Sequence, residues 1–263
     1  MSNFIKEIKK GKNQKYLFKF SNVRLSKLKS ILQSQIYLSD VRSFNDPLEL
    51  HFLPIGNPIR FSFKLILSEF QHKRIPKLRE IVKFIKQKNS DLQFLNQEVN
   101  RIADVYAVTC FAKNIGNPLL WSHYAESHKG ICLIFGFDLG EGEGGLVGIP
   151  DQKKETISLF VEDVIYQRKF PTFLPNQERK NRRILFTKGV DWKYEEEVRI
   201  VSKRKPGLVE IPKNALKGIC FGISFSEDKI GRFKKLLGSR YHNLEYFKMV
   251  KKSGRFGLGM VRI

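Results

Sequence analysis

The stretch from Asn117 to Phe137, N-P-L-L-W-S-H-Y-A-E-S-H-K-G-I-C-L-I-F-G-F, leaves the chain little freedom. Asn117 is a good helix N-cap. Pro118 suits the first helical position, where its missing N–H would have had no helical partner. Gly130 is a helix stop, and Ile131, Cys132, Leu133, Ile134 and Phe135 follow as an apolar run of strand length. A short capped helix therefore hands the chain directly to a buried strand. Trp121, Ser122, His123 and Tyr124 share one turn of that helix. Four consecutive side chains fan around most of a helix, so they cannot all be core, and some must face a cleft, a loop or a second layer.

Strand-like and helical patterns flank this centre. Tyr16 to Phe20 reads as a first strand, and Leu25, Leu28, Ile31 and Leu32 recur with helical period. Ile36 to Leu38 reads as a strand ending at Ser39. The sequence S-F-N-D-P at 43–47 is a tight turn, or a loop that presents Asn45 and Asp46 to a ligand. Residues 58–104 read as a basic helical insert. Its two apolar stripes are Leu78, Ile81, Val82, Ile85 and Leu92, Leu95, Val99, Ile102. Strands are expected at Tyr106 to Ala112, Val161 to Gln167, Lys217 to Gly222 and Leu244 to Val250. A basic helical segment is expected over 168–188, and a helix from Phe225 to Leu237. With strands at both ends and helices between them, the pattern predicts one α+β domain over 1–263, built on a mostly antiparallel sheet.

Charge narrows the partner. Lys and Arg number 48 against 26 Asp and Glu, a formal +22. Such an excess favours a polyanion: nucleic acid first, an acidic protein second, an anionic membrane surface third. The plainer alternative is that lysine serves here as the solubilising residue. Cys110, Cys132 and Cys220 are scattered and odd in number, which fits buried thiols in a reducing compartment. No C-x-x-C pair exists, and His123 and His128 are five apart, wrong for one helix face, so no metal site is expected. No apolar stretch approaches the ~20 residues needed to span a bilayer, and the N-terminus lacks a signal-peptide core. The expectation is a soluble cytoplasmic protein with no membrane partner.

The segment W-K-Y-E-E-E-V-R-I, Trp192 to Ile200, carries the most chemistry. Strand alternation would put Glu195, Glu197 and Arg199 on one face and Tyr194, Glu196 and Val198 on the other. That charged row is either a solvated edge with a weak Glu–Arg pair or a functional carboxylate with a charge partner.

F-N-D-P at 44–47, N-P-L-L-W-S-H-Y-A at 117–125, H-K-G-I-C at 128–132 and W-K-Y-E-E-E-V-R at 192–199 together resemble a bacterial family. It is the domain-of-unknown-function family DUF2971, and the resemblance runs from residue 16 to about 222. Phe18 and Phe20 stand where that family's pattern has tyrosines. A looser resemblance is to the ADP-ribosyltransferase fold. There a first strand leads into an L-x-x-I-L helix, here Leu28 to Leu32. A strand then ends in a small polar residue, here Ser39, and a late strand carries Glu-x-Glu, here Glu195 and Glu197.

These resemblances imply a split antiparallel sheet of ADP-ribosyltransferase type and an NAD-dependent transferase. Such proteins are associated with toxin and phage-defence loci, which implies an antitoxin or other inhibitory protein as partner. The charge makes nucleic acid the expected acceptor, RNA ahead of DNA. Cleavage between nicotinamide and ribose develops positive charge on the sugar, which a carboxylate at the ribose hydroxyl stabilises. Glu197 is the candidate carboxylate, with Glu195 assisting and His123 contacting the donor or moving a proton. Trp121 and Tyr124 are candidate ring clamps, although either would also serve as core. Lys19, Ser39, Asn45, Asp46 and Arg199 complete the expected donor-binding set. Two alternatives stay open: a metal-dependent nuclease using His123, Asp46 and the glutamates, and a non-catalytic nucleic-acid-binding module.

Overall fold

In a computed structural model, which describes residues 16–54, 93, 96–136, 145–150, 156–173 and 182–263, the apolar runs pair edge to edge. The strands are β1 (Leu17–Ser21), β2 (Gln35–Asp40), β3 (Leu53–Pro54), β4 (Tyr106–Ala112), β5 (Ile131–Phe135), β6 (Gly145–Pro150) and β7 (Thr156–Asp163). They continue as β8 (Ile165–Gln167), β9 (Thr172–Phe173), β10 (Thr187–Gly189), β11 (Glu197–Lys203), β12 (Gly207–Glu210), β13 (Leu216–Phe221), β14 (Glu245–Lys251) and β15 (Leu258–Arg262). Eleven of them form one sheet in the order β15-β14-β13-β5-β1-β4-β11-β7-β6, with β2 beside β4 and β12 beside β2. The fold is α+β, and the sheet is open and mostly antiparallel. Its one parallel pair among the described strands is β13–β14, joined through the helix Glu227–Gly238. A parallel neighbour needs such a crossover, because a hairpin turn cannot reach the starting end of the strand.

Alternation along each strand sends side chains to opposite faces. Leu17, Phe111, Leu133, Phe135, Val198 and Ile200 pack on one side with Ile31, Ile230, Phe233 and Leu237 of the helices. Across the sheet, Phe18, Cys132, Ile134, Cys220 and Phe247 form a second cluster around Trp121. Tyr106, Val108 and Val201 form a third with Val41, Ile184, Leu185 and Phe186.

The sequence pattern and the structure part company over the basic stretch 168–188. The described ends of 168–188 are not an α-helix. They form β9, a 3-10 turn over Arg182–Phe186, and β10. Ile184, Leu185 and Phe186 are all buried, and three consecutive buried residues do not suit a one-faced helix. Of the insert expected over 58–104, only 93 and 96–104 are among the described residues. They are helical, and the helix runs to 105. Its first apolar stripe lies outside the described residues. Among the described residues no helix is long and apolar enough to cross a membrane.

Candidate functional site

The site begins with an interruption in the sheet. One edge of β4 is shared between two strands that diverge. β1 meets it at the pair Phe18–Ala112, and β2 meets it at Ser39–Val108 and Asp40–Ala107. Between these contacts Thr109 and Cys110 stand outside the strand pairing on that side among the described residues. Lys19 of β1 reaches into the opening. Its Nζ donates to Thr109 Oγ1 at 2.7 Å and to the Cys110 carbonyl at 3.1 Å, and it lies 5.1 Å from the centre of the Phe111 ring. The ammonium gives Cys110 the donor that a neighbouring strand would have given. Burial lowers the Lys19 pKa to about 8, against the opposing pull of Cys110 and Glu197.

On the opposite edge of β4, β11 pairs along its full length, Glu197 with Ala112 through Lys203 with Tyr106. Glu197 and Arg199 stand on the same face of β11. Glu195 does not belong to the strand. Residues Val190–Glu195 form a 3-10 turn, and Glu196 follows with φ at 45°, so the strand starts only at Glu197. The turn nonetheless carries Glu195 into the same cluster.

That cluster is not the solvated edge the alternation allowed. Arg199 is 1 % exposed, Glu195 4 %, Lys188 5 %, Glu197 6 % and Glu49 8 %. Lys188 Nζ lies 2.7 Å from Glu195 Oε2, 3.0 Å from Glu49 Oε1 and 3.5 Å from Glu197 Oε2. Arg199 donates from Nε to Glu197 Oε1 at 2.8 Å, from Nη2 to Glu49 Oε2 at 2.6 Å and from Nη1 to the Leu185 carbonyl at 2.7 Å. Its guanidinium sits 4.4 Å over the Phe44 ring. Three carboxylates against two cations leave the group one negative charge when all five ionise. Burial opposes ionisation of Glu197, yet Arg199 and then Lys188 outweigh it and hold that carboxyl below its ordinary range. For Glu49 burial wins, and its pKa is raised. Burial likewise works against charged Lys188, but the surrounding carboxylates, Glu197 foremost, raise its pKa well above the usual lysine range.

Tyr124 extends the cluster to the Trp-Ser-His-Tyr helix, Pro118–Tyr124. Its hydroxyl donates to Glu195 Oε1 at 2.7 Å and accepts from Asn45 Nδ2 at 3.0 Å. Burial and the Glu195 bond together raise its pKa far above the ordinary phenol value. Asn117 fixes this helix twice over. Its Oδ1 accepts from the Leu119 amide at 2.9 Å, and its Nδ2 donates to the Tyr194 carbonyl at 2.6 Å. The cap therefore ties the helix to the turn that carries Glu195.

Lys19, Asn45, Tyr124, Glu195, Glu197 and Arg199 line one pocket of about 170 Å³, walled by the rings of Phe18, Phe20, Phe44 and Phe111. Phe18 and Glu197 also line a larger, open groove of about 880 Å³. Four other candidates lie elsewhere. Trp121 is 0 % exposed, with its Nε1–H bonded to the Ile115 carbonyl at 2.6 Å and Phe20 edge-on against it. It anchors the helix from inside the core and presents no face to either cavity. His123 is exposed on the outer side of that helix, near Tyr124 but off the pocket lining. Asp46 is buried in the turn, where its Oδ1 accepts from the Leu48 amide at 2.9 Å. Ser39 contributes backbone to the β2–β4 pairing and is not in the lining.

Glu49, Lys188 and Tyr166 belong to the site without a sequence signal of their own. Glu49 follows the F-N-D-P turn by two residues, and its amide bonds back to the Asp46 carbonyl. Lys188 is one lysine among many in a basic stretch. Tyr166 accepts from the Glu197 amide at 2.8 Å, which holds the first residue of β11 in place.

A family model described as "Protein of unknown function (DUF2971)" matches residues 120–200, which run from the Trp-Ser-His-Tyr helix through Arg199. No curated protein and no solved structure matches the chain.

Proposed function

We propose that this chain, a member of the DUF2971 family through residues 120–200, is an NAD-dependent ADP-ribosyltransferase that modifies nucleic acid. On this reading it acts as a toxin or phage-defence effector held in check by an inhibitory protein. One observation carries the proposal. The sheet opens between β1 and β2, and Lys19, Asn45, Tyr124, Glu195 and Glu197 converge on that opening from four separate stretches of chain.

The dimensions support a divided substrate. A pocket of about 170 Å³ suits a flat heteroaromatic ring and little more, and its phenylalanine walls suit nicotinamide. A dinucleotide is larger, so its remainder has to leave past Glu197 into the adjoining groove. Asn45 and Lys19 offer the polar atoms that would orient a carboxamide in the pocket. Glu197 stands in the wall common to both spaces, where the bond between ring and sugar would lie. NAD as a substrate supplies a nicotinamide leaving group and a ribose that gains positive charge as that bond breaks.

A carboxylate kept ionised in a dry wall opposes that charge at no reorganisation cost. Arg199 and Lys188 keep Glu197 ionised, and Tyr124 and Lys188 fix Glu195 beside it. The nuclease reading gains no comparable support. Lys188 Nζ, within 3.5 Å of all three carboxylates, occupies the position a shared cation would need.

The test is release of nicotinamide from labelled NAD, and label transfer to RNA or DNA, by wild type and by Glu197→Gln. Removing one preorganised charge-stabilising group lowers turnover on the order of a hundredfold or more. Wild type that consumes no NAD with any acceptor sinks the proposal. An equally active Glu197→Gln sinks the mechanism.

A further inference from the structure

The strands β14 and β15 close with Lys251 opposite Leu258. Between them the chain reads Lys252-Ser253-Gly254-Arg255-Phe256-Gly257. The tip is built, not slack. Gly254 and Gly257 take φ values of 68° and 144°, and the Lys252 amide bonds the Gly257 carbonyl at 3.1 Å. Such backbone favours glycine, and it turns the chain so that Phe256 points away from the protein. Phe256 is 109 % exposed, and Lys251, Lys252 and Arg255 around it are exposed as well. An isolated ring held fully in water gains nothing for the fold.

The same hairpin walls the larger groove. Lys252, Arg255 and Leu258 line it, and so do Met249, Met260, Lys193 and Glu197. Lys193, Lys252 and Arg255 form no ion pair among the described residues, whereas Lys113 in the same groove is paired with Asp163. Cations without an ion pair among the described residues, beside an exposed ring on a hydrogen-bonded turn, match a strand whose phosphates need counter-charge and whose bases are unstacked. A duplex hides its base faces and leaves Phe256 without a partner. An acidic polypeptide would satisfy the cations and not the ring.

We propose that the β14–β15 tip and the groove behind it bind single-stranded nucleic acid, with a base stacked on Phe256 and phosphates on Lys193, Lys252 and Arg255. The strand is thereby led toward Glu197. This names the acceptor side of the proposed transferase and rests on that reading for its chemistry, while the binding itself is measured without NAD.

Fluorescence polarisation with labelled oligo(U), oligo(dT), duplex RNA and polyglutamate tests it. Single strands should bind more tightly than duplex or polyglutamate, and the two oligonucleotides separate RNA from DNA. Phe256→Ala should weaken single-strand binding by roughly five- to a hundredfold. Alanine at Lys193, Lys252 or Arg255 should each reduce the slope of log affinity against log salt by roughly 0.7. All four side chains are exposed, so melting temperatures should stay at the wild-type value. Duplex or polyglutamate bound as tightly as single strands, or a Phe256→Ala protein that binds like wild type, overturns the proposal. The polarisation assay contains no NAD, so loss of single-strand binding and loss of nicotinamide release are read separately.

Discussion

Replacing Arg199 with methionine probes the centre of the molecule, because it removes a charge and keeps much of the volume. Arg199 serves two carboxylates and one carbonyl. Its bonds to Glu197 Oε1, Glu49 Oε2 and Leu185 O are 2.8, 2.6 and 2.7 Å, all inside a group 1 % to 8 % exposed. Breaking a buried ion pair from one side costs about 3–5 kcal/mol, since the partner is left charged and dry. Lys188 still touches both carboxylates, at 3.0 and 3.5 Å, which tempers the loss. The Leu185 carbonyl loses its donor, which adds about 1–3 kcal/mol. The working figure is therefore about 4 kcal/mol, or a fall in melting temperature on the order of 10 °C for a chain of this size.

The pH dependence gives the sharper test. In wild type the Glu197 pKa is lowered, so its stabilisation is present above the unfolded carboxylate value and fades as pH falls through the folded one. Without Arg199 that pKa rises, and the pKa of Glu49, already raised, rises further. A raised carboxylate loses stability as pH climbs from its unfolded to its folded value. The gap between wild type and variant must then be widest near neutrality and narrow on acidification, as the carboxyls protonate and cease to need a cation. Urea titrations of both proteins at several pH values measure it. A gap under about 0.5 kcal/mol at neutral pH, or one that widens in acid, refutes the reasoning.

Two further effects follow, one at the sheet opening and one from glycines elsewhere in the fold. Lys19 carries a pKa of about 8 against an ordinary 10.5, so the native state releases its proton before the unfolded chain does. Stability attributable to Lys19 should rise from about pH 8 to 10.5, and in pH-dependent melts Lys19→Met should lack that rise. Two glycines should respond to alanine with opposite sign. At Gly222 the new Cβ would lie 2.0 Å from the His128 carbonyl oxygen, so the Glu126–His128 turn, with φ values of 50°, 51° and 68°, must move. Gly231, exposed in the helix Glu227–Gly238, has nothing within 4 Å of an added Cβ. Gly231→Ala should stabilise by about 1 kcal/mol, while Gly222→Ala should lower the melting temperature and alter the near-ultraviolet signal of the adjoining aromatics.

How far the primary structure reads ahead depends on the distance over which each feature is decided. The N-capped helix at Pro118–Tyr124 and the strand at Ile131–Phe135 were legible because Asn117, Pro118 and five apolar residues act within a few bonds of where they stand, whereas the helix stops at Ala125, five residues before the expected stop at Gly130. β4 and the helix starting at Glu227 follow from periodicity in the same way. The Glu-x-Glu segment was legible in composition only. Alternation placed Glu195 on the strand, whereas the left-handed residue Glu196 starts the strand later and still delivers both carboxylates to one cluster.

Local sequence could not say whether a ring faces in or out. Trp121 and Tyr124 lie on one helix three residues apart, and only the packing of Phe20 and the Ile115 carbonyl sends the indole inward. Nor could it choose Lys188 from 48 basic residues, or join Glu49 to Arg199 across 150 positions. Those choices belong to tertiary structure, because a buried charge is tolerated only where partners from distant strands arrive within hydrogen-bonding range. The chain by itself determined most of the segments that become strands and helices, and a net charge of +22. Folding decided which of its many charges would be taken out of water, and so where the buried cluster of Glu49, Glu195 and Glu197 would lie.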